Sequence, residues 1–433
     1  MPVDLIIHNI GELVTCASSG RPKKGAEMLD LGILRNAAVA VKDGKIHSVG
    51  DSDVVLREHE ALDKLDARGN AMLPGFVECH THIVYAGNRL DEFELRIKGA
   101  DYLEILEAGG GILSSVRSTR AASVEDLVHH SRARLDRLLT NGVTTCEVKT
   151  GYGLETEAEI RMLDAIAALD IAHAVEVIPT FLPAHAVPPE FRDGGSGSAD
   201  DYVELICSEM LPKAAEWLSG THFKKGIEGR PDIFIDVFCE KNAFDLEQSK
   251  RVISTAKDLG FGVKAHVDEF TNLGGARYAI GAGAVSVDHL DAISDDEIGL
   301  LAGSDTVGVV TPAVNFNLGS SEYADARKLI DSGCAVAVST DYNPGSAPCP
   351  SPANAMAIAC RYQKLLPSEV INGFTINAAF GVGRGAETGS IEIGKKADFA
   401  ILDTKDHREI CYEFGGNLVE LVIKEGLRVS HGH

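Results

Sequence analysis

The chain has 433 residues, 45% of them apolar, so it can bury a large core and has room for a barrel of roughly 250 residues beside a second unit. Its 41 Lys and Arg against 64 Asp and Glu give a formal charge of −23, which disfavours nucleic acid or an anionic membrane surface as partner and makes any anionic small substrate depend on a local cation. No uncharged apolar run approaches the ~20 residues that span a bilayer. The opening Met1-Pro2-Val3-Asp4 has no basic segment ahead of an apolar one, and the nine Cys form no CxxC pair, so a cytoplasmic protein with reduced thiols is expected.

Residues 1–70 read as short strands. Val39-Ala40-Val41-Lys42-Asp43-Gly44-Lys45-Ile46 places an Asp-Gly turn between two apolar runs, a strong hairpin signal. From residue 71 the pattern changes to short apolar runs alternating with longer helix-like stretches, the signature of βα units. Eight runs qualify as strands: Gly75–Val84, Val143–Lys149, Ala174–Leu182, Ile233–Cys239, Gly262–Val267, Val285–His289, Val307–Thr311 and Cys334–Thr340. Eight argue for a closed (β/α)₈ TIM-like barrel rather than an open sheet. One helix is well marked, with Ser123 as cap, Asp126 three residues on, apolar residues at Leu127, Leu135, Leu138 and Leu139, and Gly142 at its end. Gly194-Gly195-Ser196-Gly197-Ser198 reads as a flexible surface loop. Short strands return near the end at Ile391-Glu392-Ile393-Gly394, Phe399-Ala400-Ile401-Leu402 and Leu421-Val422-Ile423. Neither end can form a good core alone, so residues 1–70 and 381–433 are expected to join as one small β-sandwich-like domain flanking a 71–380 barrel.

The sites of such barrels lie at the C-terminal ends of the strands. The first run ends in His80-Thr81-His82. Residues two apart share a face of a strand, so both imidazoles can reach one cation; two ordinary histidines are the alternative. Later runs end in His266, in Asp288-His289 and in Asp341. A single histidine there is more often structural than a ligand, but such residues at four strand ends of one barrel point to a metal. Imidazole with carboxylate suits zinc or iron over magnesium or calcium. Arg89, shortly after the first run, reads either as an anion anchor or as a surface arginine paired with Asp91 or Glu92. Tyr152 sits in a Gly-Tyr-Gly turn.

This ligand pattern resembles the amidohydrolase superfamily. Within it, the stretches Leu73-Pro74-Gly75-Phe76-Val77-Glu78-Cys79-His80-Thr81-His82, Asp91-Glu92-Phe93-Glu94-Leu95-Arg96, Ala108-Gly109-Gly110-Gly111-Ile112, Lys149-Thr150-Gly151-Tyr152-Gly153-Leu154, Ala184-His185-Ala186-Val187-Pro188 and Asp341-Tyr342-Asn343-Pro344-Gly345-Ser346 resemble the imidazolonepropionase family, from about residue 70 to 400. The resemblance implies a hydrolase that opens a cyclic amide, 4-imidazolone-5-propanoate, with metal-activated water. It implies one divalent metal, zinc or iron, on His80, His82, His266 and Asp341, with His289 beside it as a weak ligand or a donor to substrate. It makes Glu269, His289 and Asp341 the catalytic groups. It gives substrate contact to Arg89, Tyr152, His185, Glu269, Asn343, Gly345 and Ser346, and more weakly to Tyr102. A second metal would need a carboxylated lysine at the end of strand four; Lys241 lies beyond that run and Lys149 stands on the second, so one metal is expected. A homodimer is the family expectation. The alternatives are a heterocyclic-base deaminase using the same ligands, and a silent barrel that lacks them.

Overall fold

The computed structural model describes residues 2–99, 110–192, 195 and 197–431. Tyr102, Ala108, Gly109, Gly194 and Ser196 lie outside the described residues.

The eight predicted runs become eight parallel strands: β1 (Phe76–Glu78), β2 (Val143–Lys149), β3 (Glu176–Ala184), β4 (Phe234–Cys239), β5 (His266–Val267), β6 (Ser286–His289), β7 (Val307–Val310) and β8 (Ala335–Val338). Each pairs with the next in chain order. The fifth run is broken: Gly262–Val263 pairs with β4, and β5 resumes after Lys264-Ala265. The strand expected over Gly75–Val84 is also shorter, because the chain leaves regular pairing at Cys79. Just beyond, a parallel bridge joins Thr81 to Tyr342, and the His82 N–H donates to the Tyr342 carbonyl at 3.0 Å. That contact links the first strand to the eighth.

The helix predicted after Ser123 runs over Val124–Thr140. The Ser123 hydroxyl accepts the Asp126 N–H at 3.1 Å, while the Asp126 carboxylate accepts the Ser123 N–H at 3.3 Å, a reciprocal cap. Leu127, Leu135, Leu138 and Leu139 are buried on its inner face. Gly142 closes it at φ +92°, and a side chain there would meet the Phe76 ring, 2.8 Å from an added Cβ.

The two chain ends share one eight-stranded, hydrogen-bonded mixed sheet. Ala71–Pro74 pairs with Val3–Val14 on one side and Phe399–Leu402 on the other. Val3–Val14 is a single strand of twelve residues rather than several short ones. The Asp43-Gly44 hairpin forms with both residues at positive φ, 52° and 72°, the backbone a two-residue turn needs. Ile391–Gly394 is not a strand: Ile391 donates to the Thr15 carbonyl and Gly394 to that of Ile46, so the segment bridges strands without joining the ladder. Leu5, Ile7, Leu13, Val39, Val41, Phe399 and Ile423 form a buried cluster within this sheet, while Leu73, Ala400 and Val422 join the barrel's core. All nine cysteines are free, and no helix among the described residues is long and apolar enough to cross a membrane.

The barrel interior carries more charge than its apolar strands prepare one for. Glu78, Glu147, Lys149, Asp236, Lys264 and Asp288 are all fully buried. Charges survive there only when paired and hydrogen-bonded, and their pairing sets up the site above them.

Candidate metal centre and its cavity

β1 and the turn after it bring in His80 and His82, β5 begins with His266, β6 ends with His289, and Asp341 follows β8. All five are at least 97% buried. The His80 and His82 Nε2 atoms stand 3.3 Å apart, and those of His82 and His266 also 3.3 Å. Asp341 Oδ1 lies 3.6 Å from Nε2 of both His80 and His82. Donor atoms at the ~2.1 Å zinc–nitrogen distance around a tetrahedral ion sit roughly 3.4 Å from one another. His80, His82 and Asp341 therefore already stand at the edge lengths of a coordination shell, with His266 at that distance from His82 and grouped with His80 and His289.

The backs of the rings fix the tautomers. His80 Nδ1 donates to Asp288 Oδ2 at 2.6 Å and His266 Nδ1 to Asp236 Oδ1 at 3.0 Å. Nδ1 carries the proton in each, so each Nε2 offers a lone pair to the centre. His82 Nδ1 and His289 Nε2 are buried with no partner among the described residues, an arrangement polar atoms rarely keep without a ligand. Burial holds His80, His82 and His289 well below the ordinary imidazole range, His82 further disfavoured by the neighbouring His185, so all three are neutral. Neutral imidazoles are what a cation binds. Asp341 sits at φ +51° and His289 at φ +84°, strained values for side-chain-bearing residues that cluster at this one spot. Without a cation, burial pushes the Asp341 carboxyl up to about 7, against the nearby His266 and the hydrogen bond from Asn343; a bound cation reverses that balance.

A cavity of about 550 Å³ opens on this cluster, lined by His82, His266, His289 and Asp341 at its floor and by Arg89, Tyr152, His185, Glu269, Asn343 and Ser346 among its walls. Arg89 makes the ion pair that was one of its two readings, donating through Nε at 2.8 Å and Nη2 at 2.5 Å to Glu92, yet it also lines the cavity. Glu92 in turn accepts Arg96 at 2.6 Å and the Gly111 N–H at 2.7 Å. Tyr152 is presented by a turn that the buried Glu159 carboxylate holds through the N–H groups of Gly151, Gly153 and Leu154. Gly151 adopts φ +103°, and a Cβ there would stand 2.8 Å from His185 Nδ1. His185 stacks on His82, ring centroids 4.9 Å apart, and its Nδ1 donates to the Gly151 carbonyl at 3.0 Å. Burial takes it down to about 3.

Two of the expected substrate contacts also hold the loop after β8 in shape. Asn343 spends its amide on its own loop: Oδ1 accepts the Gly345 and Ser346 N–H groups at 2.8 Å each, and Nδ2 reaches Asp341 Oδ1 at 3.1 Å and Ser346 Oγ at 2.9 Å. Gly345 is not among the cavity-lining residues; it lies against Arg89. Glu269 lines the cavity 3.9 Å from His289 Nδ1, its carboxyl pushed well up by burial and then by the charge of Asp341. Lys241 is exposed at the rim, and Lys149 is buried among carboxylates, so neither stands where a lysine could bridge two ions.

The amidohydrolase family model matches residues 71–429. The imidazolonepropionase of Chloroflexus aggregans is 51% identical over 98% of both chains, and that of Herpetosiphon aurantiacus is 46% identical over 98% of this chain and 96% of its own. The chain belongs to the imidazolonepropionases, within the amidohydrolase family. It is a hydrolase of that family. Among solved structures, an adenosine deaminase from Xanthomonas campestris with bound zinc superposes at TM-score 0.72 and 19% identity, covering 99% of this chain and 93% of its own. E. coli guanine deaminase does so at 0.72 and 16%, covering all of both chains. At such identities they bear on the fold alone.

Asp236 and Glu92, which shape this site, were given no functional role from sequence, while Asp288 was read only among the metal-type strand ends and Lys149 only as a lysine in the wrong place to bridge two ions. Asp236 had a readable signal, since a charge inside an otherwise apolar strand run has to be paired. Glu92 had none that set it apart from Asp91, the other partner considered for Arg89.

Proposed function

We propose that this chain hydrolyses the cyclic-amide C–N bond of 4-imidazolone-5-propanoate to N-formimidoyl-L-glutamate, the third step in degrading histidine to glutamate. The observation that carries the reading is a group of His and Asp donor atoms 3.3 to 3.6 Å from their neighbours, of which His82, His266 and Asp341 open on a cavity whose wall holds an arginine. His80, His82, His266 and Asp341 hold one divalent ion, zinc or iron. When bound, that ion supplies a Lewis acid that activates water and polarises the ring carbonyl.

The chain's own groups do the rest. Arg89 offers two parallel N–H donors to the propionate, a fork that matches a carboxylate. Tyr152, His185 and Ser346 wall the ring in place, Asn343 shapes the loop that carries Ser346, and Gly345 makes room for Arg89. His289 donates toward the oxygen on which charge develops. Asp341 or Glu269 takes a proton from the attacking water and returns one to the leaving ring nitrogen; burial and the charge of Asp341 raise the Glu269 carboxyl and favour its protonated form. We divide the chain into a barrel over 71–380 and a composite domain of 1–70 and 381–433, with Ala71–Pro74 itself paired into the terminal sheet, and take a homodimer as the assembly. A base deaminase would have no use for an arginine in this wall. Incubation with freshly prepared substrate separates the two: ring opening without ammonia supports the present reading, and release of ammonia from a heterocyclic base supports the other.

A further inference from the structure

Lys149 stands fully buried on β2 beneath the histidines, and the reaction as described gives it no task. Its Nζ donates to Glu147 Oε1 at 2.6 Å and to Asp236 Oδ2 at 2.7 Å, and lies 3.8 Å from Asp288 Oδ2. Those two aspartates are the ones behind the rings. Asp236 Oδ1 accepts both the Nδ1–H of His266 and its backbone N–H, at 3.0 and 3.1 Å, while Asp288 Oδ2 accepts the Nδ1–H of His80 at 2.6 Å and Oδ1 accepts the Ser286 hydroxyl. One ammonium thus sits between the two carboxylates that orient two rings whose centroids are 4.4 Å apart.

The other buried lysine does not duplicate this. Lys264 Nζ donates to the carbonyls of Cys79 and Gly381 at 3.1 Å and lies 3.7 Å from Asp288 Oδ2, as near as Lys149, but its other carboxylate neighbour is Glu147 at 3.9 Å rather than Asp236. It neutralises charge and ties strands together. An ammonium is a compact charge with three donors; Lys149 hydrogen-bonds Asp236 and lies in ion-pair range of Asp288, so it faces both histidine-bound carboxylates. Carboxylates behind ligand histidines set ring orientation and raise ligand basicity, and losing such partners typically costs about 10–100-fold in metal affinity.

We propose that Lys149 is a positioning residue of the metal centre: by spanning Asp236 and Asp288 it locks the orientation of His80 and His266 as a pair. The inference rests on His80 and His266 being ligands, as proposed above.

The test uses the full chain loaded with Co²⁺ or Zn²⁺. Wild type, Lys149→Met and Lys149→Arg are titrated against a chelator of known affinity, and their visible cobalt spectra are recorded at saturating Co²⁺. Lys149→Met is expected to hold metal at least about tenfold more weakly and to show displaced cobalt bands even when saturated, with Lys149→Arg recovering part of both. A purely structural lysine would lower thermal stability and leave the saturated spectrum unchanged, which overturns the proposal. Should Lys149→Met fail to fold, Lys149→Gln serves in its place, and unchanged affinity and spectrum there also overturn the proposal. A wild-type chain that retains no metal would instead overturn the underlying ligand assignment.

Discussion

The guanidinium of Arg89 occupies the place where a side chain on Gly345 would have to be: a Cβ built on Gly345 would stand 2.1 Å from Arg89 Nη1 and 2.5 Å from Cζ. A side chain at residue 345 would therefore have to push the Arg89 guanidinium out of its place between the loop after β8 and the segment after β1. The loop's second fixed point is Asn343, whose amide oxygen gathers the N–H groups of residues 345 and 346.

Gly345→Ala should displace Arg89 without touching the metal ligands. The expected result in steady-state kinetics is a KM about tenfold or more higher, with kcat changed by less than about threefold, as for loss of binding that ground and transition states share. Metal content should stay at the wild-type level. An unaltered KM would show that Arg89 does not hold the substrate.

Glu92 collects Arg89, Arg96 and the Gly111 N–H on one nearly buried carboxylate, and its pKa is held down because those donors outweigh burial. Glu92→Gln should leave Arg89 unanchored. It should raise KM in the same direction as Gly345→Ala and cost about 1–3 kcal/mol of stability, the usual penalty for stranding buried hydrogen-bonding groups. Thermal unfolding and kinetics together check it; wild-type values in both would remove Glu92 from the account.

How much of this was legible in the sequence depends on what each residue answers to. The proposed ligands His80, His82, His266 and Asp341 stood at the ends of apolar runs in the sequence, and such runs announce strands, so their convergence followed from topology. Arg89 was ambiguous because its ion pair with Glu92 and its place in the cavity wall are both real. The break in β5 at Lys264 was hidden, since the buried charge that interrupts the strand is satisfied by carbonyls from residues 79 and 381, far away in sequence. Ile391–Gly394 reads as a strand by composition yet is claimed by single hydrogen bonds to two different strands, a tertiary choice no local pattern encodes.

Glu176, at the start of β3, ties the barrel to the terminal sheet through Lys396 at 2.5 Å and Lys424 at 3.6 Å. Burial opposes its charge, but the two lysines outweigh that and bring it down to about 2 from an ordinary 4.5. A folded pKa below the unfolded one contributes stability that is complete above the unfolded value and is lost as pH falls toward the folded one. Glu176→Gln should thus be less stable than wild type by roughly 1–3 kcal/mol at pH 7, with the gap in Tm closing as pH drops from about 5 toward 3. A gap that stays constant over that range would contradict the assignment.

Glu269→Gln and Asp341→Asn separate the two candidate proton carriers. Both should lose about 100-fold or more in kcat. Only Asp341→Asn should also lose metal, since Asp341 alone lies within 3.6 Å of the histidine Nε2 atoms. Metal analysis beside pH–rate profiles reads both effects, and near-normal turnover by Glu269→Gln would leave the proton to Asp341.

The central claim is a single cation at one donor cluster, and reconstitution tests it most directly. Protein stripped by chelator and dialysed should open the ring of 4-imidazolone-5-propanoate no faster than buffer. Added Zn²⁺ or Fe²⁺ should restore activity linearly to a plateau at one ion per chain. Full activity in the stripped protein, or a plateau reached only at two ions, would contradict it.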